Sequence, residues 1–401
     1  MLIKNLNEKY NPLYFLAALG AGGLAVAFFT FPNFLLPHKG APMITFDHLY
    51  PMITEGNALT SGLILATLAM IAFLAILHFR LLFWNISEYR KFKKTEAFQS
   101  LKNSNREVAL MAVPLTLAMT VNVIFILGAV FVPGLWNYVE YLFPVAIGAF
   151  FIIGLYALKV LGDYFSRIFI KGDFDFSENN HFAQMIAVFA FTMIAVGLAV
   201  PGAMSHHKEI NALGMFLSIF FLSIAMILGF IKVILSFQSM LKHGIDKNSS
   251  ASLWIMIPIL TLMGITIIRI SMGLHHSLEA TLSKSSFFVL TSTIISLQIF
   301  IGLIGYKVMK AVGYFRDHSQ GDSANAGSFA LVCPGVAFVV FAEFFLSFGL
   351  INNGLMDLLS PMHIVLLSIV VLVLLQTLRV FFRLLCKVTA CGPCKQKNCT
   401  V

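Results

Sequence analysis

The chain has 401 residues, 59% of them hydrophobic and only 11% charged, with a formal net charge of +9. Soluble domains carry about 25% charged residues, so a soluble globular protein of this length is excluded. The positive balance fits anionic lipid beside membrane-spanning segments, not nucleic acid.

Ten apolar segments each reach the roughly 20 residues needed to cross a bilayer core. The start, MLIKNLNEKYNPLYFL, lacks a small-residue cleavage site after a short apolar core, so the first span is expected over residues 11–36. It contains Gly20, Gly22 and Gly23, and a loop over 37–59 follows. The second span, at 60–86, is smooth and runs into YRKFKKTEAFQSLK, read as an interfacial segment on anionic lipid or a plain positive anchor. The third carries Pro114, and the fourth, at 141–170, is long. The fifth carries Gly197 and Pro201 and leaves through PGAMSHHKEI; the sixth covers 210–241. The seventh carries Pro258 and Gly264 and leaves through ISMGLHHSLE, an echo of the fifth; the eighth covers 285–313. A polar connection, RDHSQGDSANAGS, leads to the ninth span, with Pro334 and Gly335, and then to the tenth at 358–386.

Spans bearing helix breakers thus alternate with smooth ones. Membrane helices keep such residues only where protein or water re-satisfies the backbone. The expected fold is all-α and integral to the membrane: ten transmembrane helices as five helical-hairpin repeats in a quasi-fivefold ring. The odd helices, kinked at Gly22, Pro114, Pro201, Pro258, Pro334 and Gly335, line a pore, and the even helices face lipid. One membrane domain spans 1–386 and a Cys-rich tail covers 387–401.

Of the 27 Lys and Arg residues, 23 fall on one side of this topology. Only Lys39, Lys208, Arg269 and Lys284 remain for the other. Both termini are therefore expected in the cytoplasm, in a bacterial-type inner (plasma) membrane.

Ionisable residues within a span cost about 2.5–3.5 kcal/mol on insertion scales and normally face the interior. Arg269 in the seventh span and Glu343 in the ninth lie at similar depth, so an ion pair near the outer mouth is expected. Such a pair acts either as a structural clamp or as an anion-attracting vestibule tempered by its carboxylate. Helix ends exposed by the breaks offer amide groups to anions, and a weakly positive, apolar pore favours ions that shed water easily, such as nitrate.

His38, His206, His207, His275 and His276 lie near the outer ends of the broken helices. They are read as a metal site, a pH-sensitive ring or ordinary interface histidines. Cys391-Gly-Pro-Cys394 has the spacing of thiol–disulfide exchange sites, and Lys387, Lys395 and Lys397 would lower the thiol pKa values. The alternatives are a metal clip with Cys386 and Cys399, palmitoylation of Cys386, or a tail without function. Cys333 reads as a small packing residue. No GxxxxGK[ST], intramembrane acidic chain or mid-membrane His pair occurs, so neither an enzyme nor a cofactor is expected.

Ten spans, cytoplasmic termini and Pro- or Gly-broken odd helices resemble the TehA-like family of tellurite-resistance proteins, dicarboxylate transporters and plant slow-type anion channels. That resemblance implies a pore lined by the five odd helices, trimeric assembly, and closure by a ninth-helix phenylalanine. In SFALVCPGVAFVVFAEFFLSFGL the candidates are Phe338 and Phe341, just past the Pro334–Gly335 break. The expected function is a passive channel or transporter for small inorganic anions or carboxylates. The alternatives are a coupled carrier for a chalcogen oxyanion or dicarboxylate with a redox-active CGPC tail, and a membrane redox protein.

Overall fold

A computed structural model describes residues 2–281, 283–320 and 323–389. It contains ten helices long and apolar enough to cross a membrane. They are α1 (Pro12–Leu35), α2 (Ala58–Phe92), α3 (Asn105–Phe131), α4 (Leu135–Lys171) and α5 (Phe182–Met204). The second half continues with α6 (Lys208–His243), α7 (Ser250–Leu278), α8 (Lys284–Ala311), α9 (Ala326–Ile351) and α10 (Pro361–Thr389). The protein is a multi-pass helical membrane protein.

Burial separates the helices into two classes. The most apolar stretches of α1, α3, α5, α7 and α9 are 61–89% buried, against 28–33% for the even helices. Contacts run from α1 to α3, α5, α7 and α9 and back to α1. Each even helix covers one seam between odd neighbours: α2 lies on α1 and α3, α4 on α3 and α5, α6 on α5 and α7, α8 on α7 and α9, α10 on α9 and α1. The outward faces of the even helices expose Ile76, Phe83, Ile152, Phe230, Leu303 and Leu372. Lipid is as apolar as these side chains, so helix association rests on close packing and interhelical hydrogen bonds.

Both devices are visible. Gly22 of α1 leaves room for His78 of α2, where an added Cβ would lie 2.8 Å from Nδ1. His78 bridges three helices, with Nδ1 2.8 Å from the Ala18 carbonyl and Nε2 2.9 Å from Thr120 Oγ1. Gln298 Nε2 of α8 donates to Thr261 Oγ1 of α7 at 2.7 Å, and that hydroxyl donates to the Ala337 carbonyl of α9 at 3.0 Å.

All five odd helices open with a 3-10 turn: Pro12–Tyr14, Asn105–Met111, Phe182–Met185, Ser250–Ile255 and Ala326–Leu331. In four of them a polar side chain (Asn11, Ser104, His181 or Asn325) precedes the turn and caps its amides. Pro114, Pro258 and Pro334 each stand third in the α-helical stretch that follows. The chain runs from the 3-10 turn into the α-stretch without a break: the Ala112 amide donates to the Ala109 and Leu110 carbonyls, and the Val332 amide to the Phe329 carbonyl. Pro201 sits in the last turn of α5, as Pro32 does in α1. Helix Phe15–Leu35 continues through Gly20, Gly22 and Gly23.

The prolines thus fall just after a 3-10 turn or in a last helical turn, and the glycines of α1 at close helix contacts. Gly335 likewise faces Thr377 of α10. A further irregularity in an inner helix comes without proline: Phe345–Ile351 of α9 is a π-helix. Asn353 Nδ2 donates to the carbonyls of Phe348 (3.1 Å) and Gly349 (3.0 Å) beside it.

The N-terminal segment is tied to α2 and to the C-terminal end of α10. The Ile3 amide donates to the Thr389 carbonyl at 3.0 Å, and Trp84 Nε1 donates to the Ile3 carbonyl at 2.6 Å. The Leu6 amide meets Glu88 Oε2 at 2.8 Å, and Tyr10 hydroxyl donates to Asn85 Oδ1 at 2.8 Å. Residues near both ends therefore lie on one face of the bundle.

Candidate functional site: the central cavity

A cavity of about 520 Å³ lies among the odd helices, and every odd helix contributes to its wall. Each contributes a single stripe at helical spacing. On α1 it runs Leu19, Gly23, Val26, Thr30 and Asn33; on α5 it runs Phe189, Met193, Val196, Val200 and Ala203. No residue of an even helix lines it. The stripes start beyond the 3-10 turns; those of α1, α5 and α9 reach the C-terminal ends, where His38, Pro42 and Met43 of the loop after α1 join the wall, and those of α3 and α7 end at Ile126 and Met272. Toward the N-terminal ends, Phe15, Met111, Met185, Ile186 and Phe329 belong to one continuous buried cluster. The cavity is thus a vestibule that reaches the C-terminal ends of α1, α5 and α9 and stops short of the starts of the inner helices. The helix ends it meets present carbonyls, so the expected amide-lined anion sites at broken helices are not formed there.

Arg269 lines this cavity, and among the described residues no Asp, Glu or Lys does. Its Nη1 donates to the Val196 carbonyl of α5 at 2.8 Å. The expected ion pair with Glu343 is not formed: no ion pair joins the two side chains, and Glu343 Oε1 is left without a partner. Helical phase explains the miss. With about 100° per residue, Glu343 falls on the flank of α9 shared with Val336, which meets Gly23 of α1. Arg269 belongs to α7, which meets the opposite flank through Ala337 and Phe341. Glu343 is 1% exposed, outside the cavity wall, and its Oε1 has no hydrogen-bond partner.

The expected gate residues are displaced for a related reason. Neither Phe338 nor Phe341 lines the cavity. Phe341 is fully buried in the socket left by Gly264, whose added Cβ would meet its ring at 2.6 Å. Phe338 is half-buried and packs against the hydrophobic core. The α9 aromatics in the wall are Phe344 and Phe348. Phe34 of α1 meets them edge to face, at centroid distances of 5.0 and 6.1 Å.

Most other polar wall groups are committed to the protein. Thr30 Oγ1 donates to the Ala27 carbonyl (2.7 Å), Asn122 Nδ2 to Ala118 (3.2 Å), and Asn33 Oδ1 accepts from the Ile44 amide (3.1 Å). Cys333, a free thiol, lines the same wall, as do Met119 and Met193.

The outer histidines are only partly gathered. His206 and His276 approach with ring centroids 5.2 Å apart, and His38 and His48 at 6.2 Å. His275 Nδ1 is instead 2.8 Å from the Ala280 carbonyl. Among the described residues, no three His, Cys, Asp or Glu side chains come together as a metal site. Cys391 and Cys394 lie outside the described residues. A smaller hollow beside Lys102 and Lys171 includes Arg167, already held by Glu107 at 2.9 Å and Asp173 at 2.6 Å.

The fold and site together define a ten-helix membrane protein with an internal vestibule bearing a single cation. No family model, no curated protein and no solved structure matches the chain.

Proposed function

We propose that the protein is a passive pathway for small monovalent anions, with the five inner helices arranged as a quasi-fivefold ring around the vestibule. The observation that carries this reading is Arg269, a cation in a cavity whose wall holds no carboxylate. One fixed positive charge in an apolar wall favours monoanions that lose water readily, nitrate before chloride, and a dicarboxylate would find no second cation. Conduction requires the packed N-terminal ends of the inner helices to part. The Phe34, Phe344 and Phe348 cluster narrows the route within the vestibule.

The distribution of Lys and Arg supports cytoplasmic termini, and the TehA-like resemblance supports a trimer in a bacterial-type inner membrane. No catalysis and no cofactor are part of this reading.

The test is nitrate and chloride flux into proteoliposomes. Arg269→Gln should lower nitrate flux at least about tenfold, while Arg269→Lys keeps most of it. Equal flux in wild type and R269Q would remove the arginine from the function. Saturable counterflow, in place of single-channel steps, would make the protein a carrier.

A further inference from the structure

We propose that the vestibule is also a binding site for an amphipathic organic monoanion: a carboxylate on an extended apolar body, its head at Arg269 and its body directed toward the N-terminal ends of the inner helices. The inference rests on the preceding reading in taking Arg269 as the charge that faces incoming anions.

Size is the first argument. About 520 Å³ lies within the range of organic-ligand pockets and far exceeds the room one inorganic ion needs. Polarity is the second, because it is graded along the cavity. Arg269 stands near the C-terminal end of the α7 stripe, on the side where Asn33 and His38 also lie. From Arg269 inward to Pro258 the helix advances eleven residues, about 16 Å. Over that depth α7 contributes Ile265 and Leu262 to the wall, and the other helices contribute Met119, Met193 and Phe189.

The few polar groups at this depth are not free to solvate a guest. Thr261 hydroxyl donates to the Ala337 carbonyl at 3.0 Å, and Asn122 Nδ2 to the Ala118 carbonyl at 3.2 Å. A strongly hydrated dianion would leave water behind and gain nothing in its place. An apolar chain gains the wall, and the flexible thioethers of Met119 and Met193 can adapt to it. A single cation with no carboxylate in the wall selects one negative charge on the guest.

The probe is decanoate, titrated calorimetrically against the full chain in nanodiscs, with empty nanodiscs subtracted. Acetate lacks the apolar body and methyl decanoate lacks the charge. Decanoate should bind at least about tenfold more tightly than either, and Arg269→Gln should erase that advantage. Arg269→Lys should keep binding within about threefold, and Leu262→Gln should weaken decanoate but not acetate. Methyl decanoate binding as tightly as decanoate, undiminished binding by R269Q, or no heat beyond empty nanodiscs would each overturn the proposal. If R269Q does not fold, the ester and R269K comparisons still decide. Nitrate flux without decanoate binding would overturn this inference alone, and decanoate binding without nitrate flux would overturn only the anion pathway.

Discussion

Phe34 and Phe344 meet edge to face across the α1–α9 contact, with ring centroids 5.0 Å apart and planes at 72°. Phe348 stacks on Phe344 at 5.7 Å, so three rings from two helices share one stretch of the vestibule. Phe344→Ala should raise nitrate flux several-fold, whereas Phe338→Ala should leave it unchanged. Purified variants in proteoliposomes give the comparison, and a null result for F344A and F348A would place the constriction elsewhere.

The π-turn that follows depends on Asn353, whose Nδ2 reaches the carbonyls of Lys284, Phe348 and Gly349 at 3.0–3.1 Å. Asn353→Ala removes these bonds at a loss of about 1 kcal/mol. Hydrogen–deuterium exchange should then rise across Phe345–Ile351 more than in α1. Uniform exchange across both helices would show that the turn stands without this side chain.

Close packing gives a paired test. Gly22→Ala would place a Cβ 2.8 Å from both His78 Nδ1 and Met119 Cγ, while nothing lies within 4 Å of the same addition at Gly62. G22A should lose about 1–3 kcal/mol of stability. G62A, in the exposed part of α2, should gain up to about 1 kcal/mol. Thermal unfolding midpoints in detergent report both.

His318, in the turn between α8 and α9, lies flat on Tyr314 at a centroid distance of 4.4 Å, with Nδ1 unpartnered. Burial holds its pKa below the ordinary histidine value, partly offset by Asp317. A lowered pKa means that the folded turn prefers the neutral ring. Its stabilisation is therefore complete above about pH 6.5 and is lost as pH falls below that value, where the unfolded imidazole takes up a proton first. Protection of Gly313–Gln320 from exchange should drop between pH 7.5 and 5.5, after correction for intrinsic rates. His318→Phe should flatten that dependence.

The sorting into buried odd and exposed even helices was legible from where Gly and Pro fall, because close contact and buried termini both favour these residues. Their mechanism was not legible. A proline at position three of an α-stretch and one in mid-helix look alike until the preceding 3-10 turn is seen. Arg269 stood out by charge alone. Its lack of an ion pair with Glu343 depends on rotational phase between α7 and α9, which similar depth does not determine. Phe341 was misplaced because its socket is a glycine on another helix, Gly264. Phe344 and Phe348 carry no local signal that separates them from the rest of the chain's 40 phenylalanines. The π-turn lacks the proline that would have announced it.

The bond from the Ile3 amide to the Thr389 carbonyl also constrains when the protein can be finished. Its two partners are separated by nearly the whole length of translation. At about 5–20 residues per second, the N-terminal segment must wait about 20–80 s for Thr389 to be synthesised. Until then Trp84 and Glu88 can hold that segment against α2, but the seam beside α1 stays open to lipid. Nascent chains arrested before α10 should therefore expose this seam to an insertase or chaperone, and release of the last helix should end that contact.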